Sequence, residues 1–171
     1  MADSITAIQG AAEEAGVGGL LVGRWLGAWI DLLVLTALFF VPTLAARSLG
    51  VFDQQATNYL IIGSLFICAL YFPLLEGLWG RSIGKFVSGL RVVDKNGRAP
   101  GLGRALVRTV FRLIEVNPLL AGGVPAGLVV LFTKRKQRIG DLIAGTYVLR
   151  ASSLRQMRDV DATLAARRAS S

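Results

Sequence analysis

The fold class this sequence predicts is an all-α integral membrane protein, and three observations carry that reading. The chain has 171 residues, of which 53% are hydrophobic and 18% charged, against about 25% charged in an ordinary soluble domain; its mean hydropathy is +0.56. Its apolar residues gather into runs that reach the roughly 20 residues a bilayer core demands. Its basic residues lie between those runs, where the loops of membrane proteins carry them. The net charge of +8 therefore reads as loop charge. Nucleic acid is not an expected partner, because the basic segments lack the aromatic residues of a base-stacking surface. The chain holds no histidine and one cysteine, Cys68. The commonest general base and metal ligand is thus missing, and an internal disulfide is impossible. No metal or cofactor is expected, and nothing marks an enzyme.

Residues 1–23 are small, polar and glycine-rich, and read as a flexible tail ahead of a membrane domain over 24–150. The first span is expected from about Trp25 to Ala46, with Asp31 as its one charge. It exceeds a signal-peptide core and lacks a basic start, so an uncleaved span is the reading. Pro42 is expected to kink or end it, and Trp25 and Trp29 suit a membrane interface. The loop 47–57 carries Arg47 and Asp53 and is neutral. The second span is expected from about Asn58 to Gly80, with Pro73, Glu76 and Trp79. Between Arg81 and Arg112 eight Lys or Arg face one acid, Asp94. The positive-inside rule puts this loop, and with it the N-terminus, in the cytoplasm.

Within the basic loop, Gly89-Leu-Arg-Val-Val-Asp94 followed by Lys95-Asn96-Gly97 predicts a small hairpin or extended loop, and Pro100 shortens any returning strand. From Leu102 to about Glu115 the period is helical. Arg104, Arg108 and Arg112 repeat every fourth residue, with Leu102, Leu106, Val110 and Leu113 on another side. Two settings suit such a helix: the membrane surface, with the three arginines on anionic headgroups, or packing on the protein with the arginines in water. Residues 113–133 are apolar but broken by Pro118 and Gly122-Gly-Val-Pro125, with basic flanks. A re-entrant hairpin keeps both flanks on one side; a full third span is the rival. Ile139 to Leu149 is too short to span, and is expected to pack on the hairpin or the basic loop. Residues 151–171 read as a cytoplasmic tail with helical character.

An acid inside a membrane helix is costly and calls for a reason. Arg24 and Asp31 are seven residues apart, so they share one helix face about 10 Å apart along the axis. Gly27 and Ala28 lie between them, small enough for another helix to approach. This face should point at protein. Glu76 lies five residues before Arg81, at a depth similar to that of Asp31. The two acids are expected to share a pocket, a proton or a cation, or to pair with Arg24 or a loop arginine; a network that only locks helices together is the alternative. Asp141 follows Arg138 by three, a local ion-pair spacing. Asp31 is expected to meet Glu76 or a basic side chain, and Arg24 the segment around Asp141. Gly80-Arg-Ser-Ile-Gly84-Lys85 has too few residues between its glycines for a phosphate-binding loop.

Arg24 and Asp31 in the first helix, with Gly140-Asp141-Leu-Ile-Ala-Gly-Thr146 near the end, resemble the RDD family of bacterial membrane proteins, named for one arginine and two aspartates. Glu76-Gly-Leu-Trp-Gly-Arg-Ser-Ile-Gly-Lys85, Gly89-Leu-Arg-Val-Val93 and Arg108 are similar to its linking segments. The resemblance covers about residues 20–150. Ser82 stands where many members carry threonine, a change of little expected effect. The resemblance implies a bacterial inner membrane and, since some members behave like cation/proton antiporters, a transport hypothesis. In it Asp31, Glu76 and Asp141 are the ion or proton candidates, with Arg24, Arg108 and Arg138 as charge partners. A monovalent cation or proton is then the cargo, and a homo-oligomer supplies the pathway that two spans cannot. The rival is a non-catalytic scaffold or partner-binding subunit.

Overall fold

A computed structural model describes residues 10, 17–50, 53–115 and 137–169. Helix α1 runs over Val17–Ser48 and helix α2 over Gln54–Trp79. Both are long and apolar enough to cross a membrane. Much of their surface is uncovered: Leu33, Val41, Ile62 and Phe66 are all more than half exposed, as lipid-facing side chains should be. Trp25 and Trp29 stack edge to face with centroids 5.9 Å apart. The two helices run antiparallel, with Cys68 of α2 against the Leu35 carbonyl of α1.

Helix α1 starts eight residues ahead of Trp25, inside what the sequence assigned to a tail. The reason is packing: Leu20 is fully buried against Leu90, Val92 and Val148. Pro42 does not end the helix, which continues to Ser48. Asp53 caps α2 by accepting from the Ala56 amide at 2.7 Å, and Gly80 closes it at φ +71°. A side chain at Gly80 would meet the Val92 carbonyl, because the Val92 amide donates to the Gly80 carbonyl at 2.6 Å. The chain end of α2 is thereby stitched to the strand that follows.

Four further helices and a two-stranded sheet complete the described fold. Helix α3 spans Ile83–Val87, strand β1 Leu90–Asp94, helix α4 Leu102–Glu115, helix α5 Ile139–Ala144, strand β2 Thr146–Arg150 and helix α6 Ala151–Ala169. The predicted turn after β1 forms: the Asp94 side chain accepts from the Asn96 and Arg98 amides at 2.8 and 3.0 Å. The returning strand of a hairpin does not. β1 pairs instead with β2, antiparallel, from Leu90 opposite Arg150 to Asp94 opposite Thr146. The local turn signal was real, but β2 offers a buried apolar strand, whereas Pro100 removes a donor from the local one. The described residues are mostly helical with this one small sheet, which corrects the all-α expectation. The segment from Ile139 to Leu149 packs on the basic loop as expected. Leu154 of α6 packs on Val93, Tyr147 and Leu149. The broken apolar segment 113–133 lies mainly outside the described residues.

Helix α4 turns arginines inward, where both sequence expectations had them facing out. Its apolar side points outward, with Leu106 at 55% and Leu113 at 73% exposure. Arg108 and Arg112 turn inward, while Arg104 stays partly exposed, beside Asp94 at 3.5 Å. Headgroup contact through Arg108 and Arg112 is therefore corrected. In lipid an apolar face gains nothing by turning inward, while a buried acid needs cations.

Candidate functional site

Polar side chains converge where α1, α2, α3, α4 and α5 meet, but they form two clusters. The first surrounds Asp31, which is buried. Its Oδ1 accepts from the Tyr71 hydroxyl at 2.7 Å and the Gly84 amide at 2.8 Å. Its Oδ2 accepts from the Ser82 hydroxyl at 2.6 Å. The three donors are neutral. Asp31 thus holds the first turn of α3, where amides without helical partners point at an acceptor. The Tyr71 hydroxyl also accepts from the Ile83 amide at 3.2 Å. Close approach makes this possible: a Cβ at Gly27 would sit 3.1 Å from the Gly84 carbonyl. Any side chain at Gly84 would run into the Gly27 carbonyl and the Asp31 carboxyl.

The second cluster is an ion network. Glu76 is fully buried. Its Oε1 meets Lys85 Nζ and, at 2.5 Å, Arg112 Nη2; its Oε2 meets Arg108 Nε at 3.1 Å. Arg108 also binds Asp141 Oδ1 and Thr146 Oγ1 through Nη1, the latter at 2.6 Å. Asp141 Oδ2 lies 3.5 Å from Arg24 Nη2 and accepts from the Arg138 amide at 3.2 Å. Gln137 donates to the Thr146 carbonyl at 2.7 Å, and Arg112 lies over the Phe72 ring at 3.8 Å. Arg108 is the bridge: one guanidinium joins the acid of α2 to the acid of α5, the planar fork geometry lysine cannot supply.

Asp31 and Glu76 therefore do not share a pocket. Direction around α2 separates them. Tyr71, which reaches Asp31, and Glu76 are five residues apart, about 140° around the helix. One points at α1 and the other at α4. Arg24 meets Asp141, across from α1 to α5. The tie between Arg138 and Asp141 runs through the backbone amide, placing Asp141 in the first turn of α5. Tyr71, Lys85, Arg112 and Thr146 were not singled out for these roles. Lys85 carried a signal, a charge one residue from a packing glycine; Tyr71 in its apolar run carried none.

Four cations, Arg24, Lys85, Arg108 and Arg112, surround the two carboxylates Glu76 and Asp141. That surplus disfavours a bound metal cation, and among the described residues no three His, Cys, Asp or Glu converge as metal ligands. Burial alone would raise the Asp141 carboxyl, yet Arg108, Arg24 and Arg138 hold it below its usual range. Burial would weaken the Arg108 cation, but Asp141 and Glu76 outweigh it and raise its pKa. Lys85 goes the other way. Burial pushes it from 10.5 down to about 7; Glu76 opposes this, while Arg112 and Arg108 add to it. Between about pH 7 and the ordinary lysine value the unfolded chain then binds a proton the folded protein lacks, so stability rises with pH across that window. Unfolding followed from pH 6.5 to 10 is expected to show this rise, and Lys85→Met is expected to flatten it.

Two long apolar helices clamped at one end by a buried network of paired charges define a small integral membrane protein. Residues 19–145 match the RDD family, and the chain belongs to that family. A relative from Bacillus subtilis (strain 168), "Uncharacterized protein YckC", is 33% identical over 88 residues, covering 50% of this chain and 58% of that protein. The match thus spans less than two thirds of that relative's length. No solved structure matches.

Proposed function

We propose that the protein is a non-enzymatic membrane scaffold or partner-binding subunit of the bacterial inner membrane, its N-terminus and basic end facing the cytoplasm. One observation carries this reading: each of the three acids is saturated by the protein's own donors. Asp31 takes three neutral hydrogen bonds, Glu76 meets three cations and Asp141 two. Such a constellation joins five elements and presents no carboxylate to a passing cation. The basic orientation follows from the positive-inside rule. The test is ion flux in proteoliposomes. Wild type and Asp31→Asn are both expected to show no flux above empty vesicles. Asp31→Asn is expected to lose roughly 1–3 kcal/mol of stability, because its amide turns a donor toward donors. Cation-dependent proton movement by wild type that Asp31→Asn abolishes, with the fold intact, would overturn the reading.

A second reading has its own observation. Lys85, poised near neutrality against Glu76, is the one cation on that carboxylate able to release a proton, since arginine stays charged. A proton-coupled transporter, assembled as a homo-oligomer to enclose a pathway, would use this pair. It predicts flux that Lys85→Arg abolishes while stability is retained.

A further inference from the structure

A cleft of about 390 Å³ opens beside the end of α2, lined by Leu75, Trp79, Ile83 and Phe86 together with Arg81 and Arg91. Ser82, which donates to Asp31 Oδ2, also lines it. Trp79 and Phe86 are 58% and 64% exposed. The cleft continues the uncovered apolar surface of α2, where Leu74 and Leu78 are also exposed. It therefore opens on the same side as the lipid-facing part of a membrane span. Its position is one where tryptophan marks the boundary between chains and headgroups.

The two guanidiniums are held in place by the fold. Arg81 lies over the Phe86 ring, 5.2 Å from its centroid. Arg91 sits on β1, which the hydrogen bond from Val92 to the Gly80 carbonyl fastens to the end of α2. Its side chain runs past Gly80, where a Cβ would lie 3.4 Å from Nε. Among the described residues the lining contains no carboxylate. Two arginines in the lining of an otherwise largely apolar cleft match a ligand with an anionic head and an apolar tail. A guanidinium presents parallel donors suited to phosphate oxygens. The exposed aromatic and aliphatic walls suit an acyl chain.

We propose that this cleft is a binding site for one anionic phospholipid, its phosphate on Arg81 and Arg91 and an acyl chain against Trp79, Ile83 and Phe86. The site stands on the membrane class of the protein and is independent of the choice between scaffold and transporter. It places the lipid contact at α2, α3 and β1.

The experiment uses Trp79 as reporter. The full chain carrying Trp25→Phe and Trp29→Phe keeps it as the sole tryptophan. The protein is reconstituted in phosphatidylcholine vesicles containing increasing fractions of dibrominated phosphatidylglycerol or dibrominated phosphatidylcholine. Each basic residue near an anionic headgroup is worth roughly fivefold, so brominated phosphatidylglycerol is expected to quench at an approximately 25-fold lower fraction. Arg81→Gln with Arg91→Gln is expected to bring the two lipids to parity. Arg81→Lys with Arg91→Lys retains the charge and is expected to keep most of the preference; its loss there overturns the electrostatic assignment. Equal quenching by both lipids in the parent, or a preference surviving in the glutamine pair, overturns the site. Relief of quenching by millimolar inorganic phosphate also overturns it, in favour of a free anion.

Discussion

Glu76→Gln is expected to cost on the order of 3–5 kcal/mol of folding free energy. The carboxylate is fully buried and meets Lys85, Arg108 and Arg112. An amide keeps the shape and removes the charge, so Arg108 and Arg112 lose a counter-ion and Lys85 loses the partner that helps hold its proton. Breaking a buried ion group by removing one partner is far costlier than replacing the group whole, because the remaining charges stay out of water. The loss should exceed that of Asp31→Asn, whose donors are neutral. Unfolding by titration with sodium dodecyl sulfate in mixed micelles measures both. A Glu76→Gln protein as stable as wild type would mean that water or lipid headgroups reach these cations and replace the carboxylate.

The second large effect is expected from Gly84→Ala, at roughly 2–3 kcal/mol. Adding one methylene-sized group to a tight contact typically costs 1–3 kcal/mol through forced shifts. Here the obstacle is a backbone carbonyl, that of Gly27, together with the Asp31 carboxyl, and neither is the far end of a flexible side chain. Helix α3 would have to lift off α1, and the Gly84 amide would lose its bond to Asp31. Gly63→Ala on α2, where a Cβ meets no neighbour, is the control and should be near neutral or mildly stabilising. The same detergent titration separates the two; equal midpoints would refute the close packing of α1 on α3.

The two spans, their acids and the family motifs were legible because each rests on local pattern. A run of apolar residues declares a span whatever surrounds it, and Arg24, Asp31 and Asp141 are recognisable from neighbours in the chain. The β1 turn was equally legible, since Asp94, Asn96 and Gly97 make it among themselves. Its strand partner was not, because Thr146–Arg150 lies over 50 positions away and no local signal names it. The start of α1 was missed for the same reason: Leu20 is helical because Leu90 and Val148 cover it.

By itself, the sequence determined that this is a small basic membrane protein with two apolar spans and buried acids on small-residue faces. Only the tertiary structure decided which charges meet. Asp31 became an anchor for α3 through neutral donors, and Glu76 became the centre of three cations. The same packing turned the arginines of α4 inward. The physical reason is that periodicity records how polarity is distributed around a helix but not which medium lies on each side. In water the arginines of α4 would face out. Against lipid, with Glu76 and Asp141 needing counter-charge inside, the lower-energy arrangement is the reverse.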